Sequence, residues 1–426
     1  MLCLERSVIV PSQAIIFGIP SATLSARAVE LQETLLSFMR EHVLPAEADY
    51  AHYRESVAPD NHTVPPVVEE LKALARTRGL WNLFLPSESG LSQLEYAPLA
   101  ELTGWSQDLA PEALNCQAPD TGNMELLHLF GTPEHKRTWL GPLLDGRIRS
   151  AFAMTEPDVA SSDARNISTM ISRHGDDFMV SGRKWWASGA SDPRCKVFIV
   201  MGRNDDAMER SGEHTMLVVP ADTPGIRVLR STTVFGRQDQ QGHSEVVFDE
   251  VRVPMSAVLG EIGGGFVAAQ ARLGPGRIHH CMRALGAAER AMAMMVERAK
   301  SRSVFGATLV EHGMVQRQIA ESRIAIEQAR ALCHRAAWAI DTSGNAAARD
   351  IVSMAKVAVP HAVLLTIDNA IQIHGGAGVS DDTPLAAMYG WHRAMRIFDG
   401  PDEVHLRSIA RAELRRDPIL DLPSGL

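Results

Sequence analysis

From Ser25 to about Arg149 the apolar side chains recur three and four residues apart, as in Leu31, Leu35, Leu36, Phe38 and Met39, and again in Val67, Val68, Leu71, Leu74 and Leu80. This is the spacing of one buried face on a helix with 3.6 residues per turn, so the segment is expected to be helical. Turn-rich stretches interrupt it at Ala58-Pro-Asp-Asn, Leu85-Pro-Ser-Glu-Ser-Gly90 and Ala118-Pro-Asp-Thr-Gly122. Between Ser150 and Gly260 the pattern shortens to β-branched and apolar runs, Phe178-Met-Val, Lys196-Val-Phe-Ile-Val-Met201, Thr215-Met-Leu-Val-Val219, Ile226-Arg-Val-Leu and Ser244-Glu-Val-Val-Phe248, separated by Gly, Asp and Pro. Such runs predict an antiparallel β domain inserted between helical parts. After Gly263-Gly-Gly265 the helical period returns and persists to about Arg416, with breaks at Gly306, Gly344 and Gly375-Gly376, which predicts a helical bundle. The expected division is a leader over 1–24, flexible or strand-like, a helical domain over 25–149, a β domain over 150–260 and the bundle over 261–426.

A chain of 426 residues exceeds one ordinary core, in keeping with that division. Its 45% hydrophobic and 22% charged residues are those of a soluble globular protein. A net charge of −9 argues against a protein whose main task is neutralising nucleic-acid phosphates. The five cysteines are odd in number, scattered and without a C-x-x-C pair, which suggests neither a disulfide framework nor a zinc site and fits a reducing compartment. The expected location is cytoplasmic, or an organelle matrix in a eukaryote. The apolar run Ala14 to Ile19 follows Glu5 and Arg6 and is flanked by prolines, so a leader is read there, a signal peptide being the alternative. No uncharged run reaches the roughly 18 residues of a membrane span. Even Met354 to Ile373 carries Lys356, His361 and Asp368.

The candidate chemistry centres on Arg396-Ile-Phe-Asp-Gly-Pro-Asp-Glu-Val404. Here a carboxylate, Asp399, precedes a Gly-Pro turn into a new helix, with Gly400 as expected N-cap, Pro401 in the first helical position and two acids at the positive end of the helix dipole. Upstream, Ala151-Phe-Ala-Met-Thr-Glu-Pro-Asp-Val-Ala-Ser-Ser-Asp163 is a loop of small and hydroxyl residues that can hold a polar heterocycle. Gly182-Arg-Lys-Trp-Trp-Ala-Ser-Gly-Ala190 sets a flat indole wall beside a serine, as a flavin ring requires. Arg302-Ser-Val-Phe-Gly306 joins a cation, an aromatic and a helix break, and Gln372-Ile-His-Gly-Gly-Ala-Gly378 places glycines where a phosphate can approach backbone N–H groups. Each has a bland reading, as surface loop, core tryptophan or helix C-cap, and no G-x-G-x-x-G follows a strand.

In this order and at these separations the pieces closely resemble the acyl-CoA dehydrogenase family of flavoproteins, over nearly the whole chain from Ser25. The resemblance implies an α+β fold with an N-terminal helical domain, a middle antiparallel β domain and a C-terminal four-helix bundle. It implies FAD as cofactor, with Phe152, Met154, Thr155, Ser161, Trp186 and Ser188 about the flavin. Arg302, Phe305, Gln372, Gly375, Gly376 and Glu403 match positions serving the remainder of FAD, some of them donated by a neighbouring subunit. Ser162, or Ser161, and Arg277 match positions that meet the CoA of the substrate. Most of the family carries Tyr-Glu-Gly-Thr where this chain has Phe398-Asp-Gly-Pro401. The phrases Asp399-Gly-Pro-Asp-Glu-Val-His-Leu406 and Leu273-Gly-Pro-Gly-Arg-Ile-His-His280 look most like the branch containing family members ten and eleven. The family's alternative base position, just before Arg277, is Gly276 here, which leaves Asp399 without a competitor.

The implied reaction is α,β-dehydrogenation of an acyl-CoA thioester to a trans-2-enoyl-CoA. Asp399 would take the α-proton, hydride would pass to flavin N5, and an electron-transfer flavoprotein would accept the electrons from a homodimer or homotetramer. The thioester carbonyl would be polarised by the backbone N–H of the base and a ribityl hydroxyl of FAD. Desolvation between substrate and flavin is expected to lift the pKa of the base towards neutrality. Two rivals are a nitroalkane-oxidising flavoprotein, which has no use for a CoA site, and a non-catalytic DNA-binding relative, which the charge of −9 disfavours.

Overall fold

The computed structural model describes residues 24–205 and 213–417, with a short antiparallel strand pairing of Ile15–Ile16 with Ile19–Pro20. The expected leader lies almost wholly outside the described residues. Helices α1 (Ala26–Phe38), α2 (Leu44–Ser56), α3 (Pro66–Thr77), α4 (Gln93–Thr103) and α5 (Asp120–Phe130) form the N-terminal part, with shorter turns between them. Helix α4 opens on a capping box in which Ser92 and Glu95 satisfy each other's backbone N–H groups. Two further N–H groups of its first turn, from Gln93 and Leu94, donate to the carboxylate of Asp341, 248 and 247 residues away, which ties this helix to the C-terminal bundle.

The sheet consists of β1 (Arg149–Ala153), β2 (Met170–His174), β3 (Asp177–Ser188), β4 (Cys195–Asn204), β5 (His214–Pro220), β6 (Ile226–Thr232) and β7 (His243–Pro254). Its order is β1-β4-β2-β3-β7-β6, with β5 also paired to β4. The expectation of an antiparallel domain is corrected in one respect. The sheet is mixed, because both β1 and β2 run parallel to β4. Side-chain alternation has the same period of two in either direction, so the sequence pattern does not carry strand polarity. Strand β4 is buried on both faces. Val197, Ile199 and Met201 join the core shared with the helices, while Phe198 and Val200 join the sheet's second core.

The C-terminal part holds three long helices, α6 (Gly265–Ser301), α7 (Gly313–Ala347) and α8 (Arg349–His374), and two shorter ones, α9 (Leu385–Met395) and α10 (Asp402–Glu413), which pack on α8. The breaks fall near the expected glycines: Gly344 and Gly375 take φ of 78° and 64°. Helices α4 and α6 cross in backbone contact. A Cβ on Gly104 would lie 1.8 Å from the Arg283 carbonyl oxygen, and one on Gly286 1.8 Å from that of Glu101. By length and composition α8 could cross a membrane, yet here it is the packed centre of the bundle. Its Lys356 is fully buried and donates to the Met395 carbonyl at 2.6 Å.

Candidate active site

Between α9 and α10 the chain reverses through two successive residues in the left-handed region, Asp399 (φ 55°) and Gly400 (φ 100°). Aspartate tolerates this better than most side chains. At Gly400 any Cβ would sit 2.8 Å from His405 Nε2, so glycine is required by space as well as by φ. Pro401, not Gly400, is the N-cap of α10: its ring fits the extended conformation there (φ −67°, ψ 159°), and Asp402 and Glu403 occupy the first turn. The turn is held by its backbone. Arg277 Nε donates to the Asp399 carbonyl at 2.8 Å, and His405 Nε2 lies 3.3 Å from the same oxygen. Asp402, the anchor of the following helix, accepts from Arg396 Nε at 2.7 Å and contacts His361 Nε2 at 2.9 Å.

The Asp399 carboxylate is thereby left to a cavity of about 770 Å³, from whose wall it projects with 20% of its side chain exposed. His280 Nε2 stands 3.5 Å from its Oδ2. Burial alone would raise the carboxyl pKa, but the charges of His280 when protonated and of Arg272, Lys356 and Arg277 outweigh it and hold the group below its ordinary value. The free chain thus holds its base below the ordinary range, before any desolvation by substrate and flavin. Burial in turn pushes His280 down to about 3, against the attraction of Asp399, so the imidazole facing the carboxylate is neutral.

Another part of the cavity wall is built by the loop after β1 and by an irregularity in β3. The register of β3 with β7 shifts between Lys184 and Ala187, and Trp186 takes φ 53°. This bulge turns the indole onto the cavity instead of along the sheet. The loop is pinned from beneath by the buried pair Lys184 and Glu156, 2.8 Å apart, with Lys184 also donating to the Met154 carbonyl at 2.9 Å. Glu156 further accepts from the N–H groups of Ser168 and Thr169, each at 2.8 Å. Burial would raise its pKa, but Lys184 and these donors bring it down to about 2. Ser161 accepts from the Glu156 N–H at 2.9 Å, so its hydroxyl fastens the loop.

Phe152, Met154, Thr155, Ser161, Ser162, Trp186, Ser188, Arg277 and Asp399 all line this one cavity. Arg302, Phe305, Gln372, Gly375, Gly376 and Glu403 do not; they lie exposed on the bundle, Phe305 at 97%. The cavity offers a bound isoalloxazine a flat indole, 39% exposed, with the Ser188 hydroxyl beside it, so the residues present fit a flavin. Sequence reasoning passed over His280, Trp391, His243 and Arg272, which also line the cavity. The Arg272 guanidinium lies 4.0 Å over the Phe152 ring and its Nε donates to Asn123 Oδ1 at 3.2 Å. A Cβ on Gly122 would come within 2.8 Å of it. The His-His dipeptide 279–280 was the one sequence signal for this wall, and it was read as branch signature alone.

Residues 151–251 match the family model described as acyl-CoA dehydrogenase, middle domain, and residues 263–414 the one described as acyl-CoA dehydrogenase, C-terminal domain. The chain belongs to the acyl-CoA dehydrogenase family, and its cofactor is FAD. It is 63% identical over 394 residues to the Mycobacterium tuberculosis protein named "Probable acyl-CoA dehydrogenase FadE2", covering 92% of this chain and 97% of that one. It is 52% identical over 395 residues to human acyl-CoA dehydrogenase family member 11, covering 90% of this chain and 50% of that protein, so it spans about half the length of these larger relatives. The branch matches the one that the Asp399 and Leu273 phrases resemble. Butyryl-CoA dehydrogenase from Megasphaera elsdenii superposes with a TM-score of 0.77 at 26% identity, covering 92% of this chain and 99% of that one.

Proposed function

We propose that the chain catalyses α,β-dehydrogenation of an acyl-CoA thioester with Asp399 as the base. The observation that carries the reading is a carboxylate, held by its backbone at a left-handed turn, that lines one cavity together with the Trp186 indole and the Ser188 hydroxyl. FAD, when bound, supplies the acceptor for the β-hydrogen, which leaves as hydride. Asp399 removes the α-proton, and its own N–H polarises the thioester carbonyl. Substrate entering the cavity displaces water from around the carboxylate, which raises its proton affinity from the low value of the free chain and makes it a stronger base where it is needed. Trp186 and Ser188 orient the flavin ring; Ser162 and Arg277 meet the CoA portion.

The exposed Arg302, Phe305, Gln372, Gly375 and Gly376 serve the FAD of a second copy, and the working enzyme is a homo-oligomer. An electron-transfer flavoprotein is its electron acceptor. The test is anaerobic titration of the purified yellow protein with a panel of acyl-CoAs, followed by flavin absorbance. Bleaching by at least one member, with enoyl-CoA as product, is expected. Bleaching by none of them, or oxygen consumption with nitroethane instead, would overturn the reading.

A further inference from the structure

Ser188 ends β3 directly opposite His243, the first residue of β7, so the sheet register itself brings the two together. The serine Oγ lies 2.7 Å from His243 Nδ1, and His243 Nε2 lies 3.0 Å from Asp239 Oδ2. The ring is clamped between Trp391, stacked at 5.7 Å and 23°, and Trp186 at 5.6 Å. Asp239 is fixed in turn by the Gly242 N–H at 2.8 Å. All five side chains reach the cavity.

Burial disfavours a charged His243, but the Asp239 carboxylate beside it wins and raises its pKa above the ordinary imidazole value. Other ionisable groups bearing on the pair come from the N-terminal part: His62, which favours the Asp239 charge, Asp108, which repels it, and Tyr50, whose own ionisation Asp239 opposes. Across the cavity α9 presents the uncharged Trp391. An imidazolium has two N–H donors and no acceptor. With both ring nitrogens carrying hydrogen and Nε2 beside the Asp239 carboxylate as an ion pair, Nδ1–H must be given to Ser188 Oγ, and the serine's own hydrogen cannot point back at the ring.

We propose that the Asp239 and His243 pair is a positioning device that fixes Ser188 as a hydrogen-bond donor into the cavity, towards the flavin ring. The inference rests on the reading that Ser188 faces the flavin. Loss of the His243 proton makes Nδ1 an acceptor, lets the serine hydrogen turn inward and removes the donor. The device therefore acts on the cofactor's environment and not on the Asp399 base.

The experiment compares the parent with Asp239→Asn, His243→Gln, Ser188→Ala and the double variant Asp239→Asn with Ser188→Ala. The readouts are the visible spectrum of the bound oxidised flavin from pH 5.5 to 9.5, FAD affinity of the reconstituted apoprotein, and the single-turnover rate of flavin reduction. For the parent a spectral transition is expected above the ordinary imidazole pKa. Asp239→Asn should move that transition down by about one pH unit or more and slow reduction at pH 7.5 about tenfold, the worth of one hydrogen bond. His243→Gln, with no titratable ring, should abolish the transition, and it carries the test alone if Asp239→Asn does not fold. In the Ser188→Ala background Asp239→Asn should add nothing. A transition that stays in place in Asp239→Asn, that survives in His243→Gln, or an Asp239→Asn effect undiminished without the serine hydroxyl, overturns the device. A Ser188→Ala protein with unchanged spectrum and FAD affinity overturns instead the reading that Ser188 faces the flavin, and the proposal with it.

Discussion

Arg277 sits where the family resemblance predicts a contact to CoA, yet its Nε is spent on the Asp399 carbonyl at 2.8 Å. The two roles separate on replacement by alanine. A residue that served only the CoA would contribute equally to ground state and transition state, so its loss would raise KM and leave kcat alone. A residue that pins the base does the reverse. The hydrogen bond from a guanidinium is worth about 1.5–3 kcal/mol, and it restrains a residue in the left-handed region that would otherwise relax. The remaining contact, His405 Nε2 at 3.3 Å, is longer and belongs to a group that burial pushes down to about 4 and hence keeps neutral. Loss of the charged contact should therefore lower the limiting rate of flavin reduction by roughly tenfold to a hundredfold. The assay is stopped-flow reduction over a range of acyl-CoA concentrations, which returns the limiting rate and the substrate Kd separately, with Tm measured beside it to confirm the fold. Arg277→Ala with an unchanged limiting rate and only a weaker Kd would show that the turn keeps its shape without the guanidinium.

Asp399→Asn should retain FAD and bind acyl-CoA without bleaching; an active Asp399→Asn enzyme would place the base elsewhere. Asp399→Glu should be slower than the parent, because the Asp399 and Gly400 turn already sets the carboxylate and an arm longer by about 1.5 Å overshoots; a faster variant would refute that. Since kcat/KM reports the free enzyme and Asp399 is held below its ordinary pKa there, its protonation should put no acid limb into the kcat/KM profile between pH 5.5 and 8, and a limb in that range that shifts in Asp399→Glu would contradict the charge balance described. Glu125, buried near Arg272, is pushed up to about 8, burial being the main cause. A raised carboxyl pKa gives stability that is present below the ordinary value of 4.5 and lost as pH rises to about 8, so parent Tm should fall across that range, less steeply in Glu125→Gln; equal slopes would exclude this. Arg302→Ala should weaken FAD retention while leaving the monomer fold intact, checked by flavin content after gel filtration.

The element types were legible because α1 and α3 carry clean periods and β4 and β5 are short β-branched apolar runs, and burial follows them: Leu31 and Leu35 are on the inner face of α1, Val68 and Leu71 on that of α3, and β4 is buried on both faces. What periodicity could not supply was relation between elements. The parallel pairing of β1 with β4 requires the chain to leave, form the β2 and β3 hairpin and return, and no local pattern marks that return. The crossing of α4 and α6 depends on Gly104 meeting Gly286, two glycines that read as ordinary helix weaknesses until the other helix is in place.

The same division explains the site. Motifs that act as contiguous stretches, such as Met154-Thr155 and Trp186 to Ser188, were legible because the loop and the bulge deliver them together to the cavity. The electrostatic surroundings of Asp399 were not legible because they are assembled across the chain: Arg272, Arg277 and His280 arrive from α6 and Lys356 from α8. Desolvation could be anticipated from the turn; three fixed cations and a polarisable imidazole at that turn could not. Their presence changes how the base must work under the proposed function. A carboxylate already poised near neutral pKa would lose part of its charge, and so part of its basicity, before substrate arrives. One held low by cations stays fully ionised in the open cavity, and the increase in proton affinity is deferred to the moment when the acyl chain and the flavin exclude water from it. On this argument binding and not folding tunes the base, and the cations that lower its resting pKa also stabilise the negative charge that moves onto the thioester as the α-proton leaves.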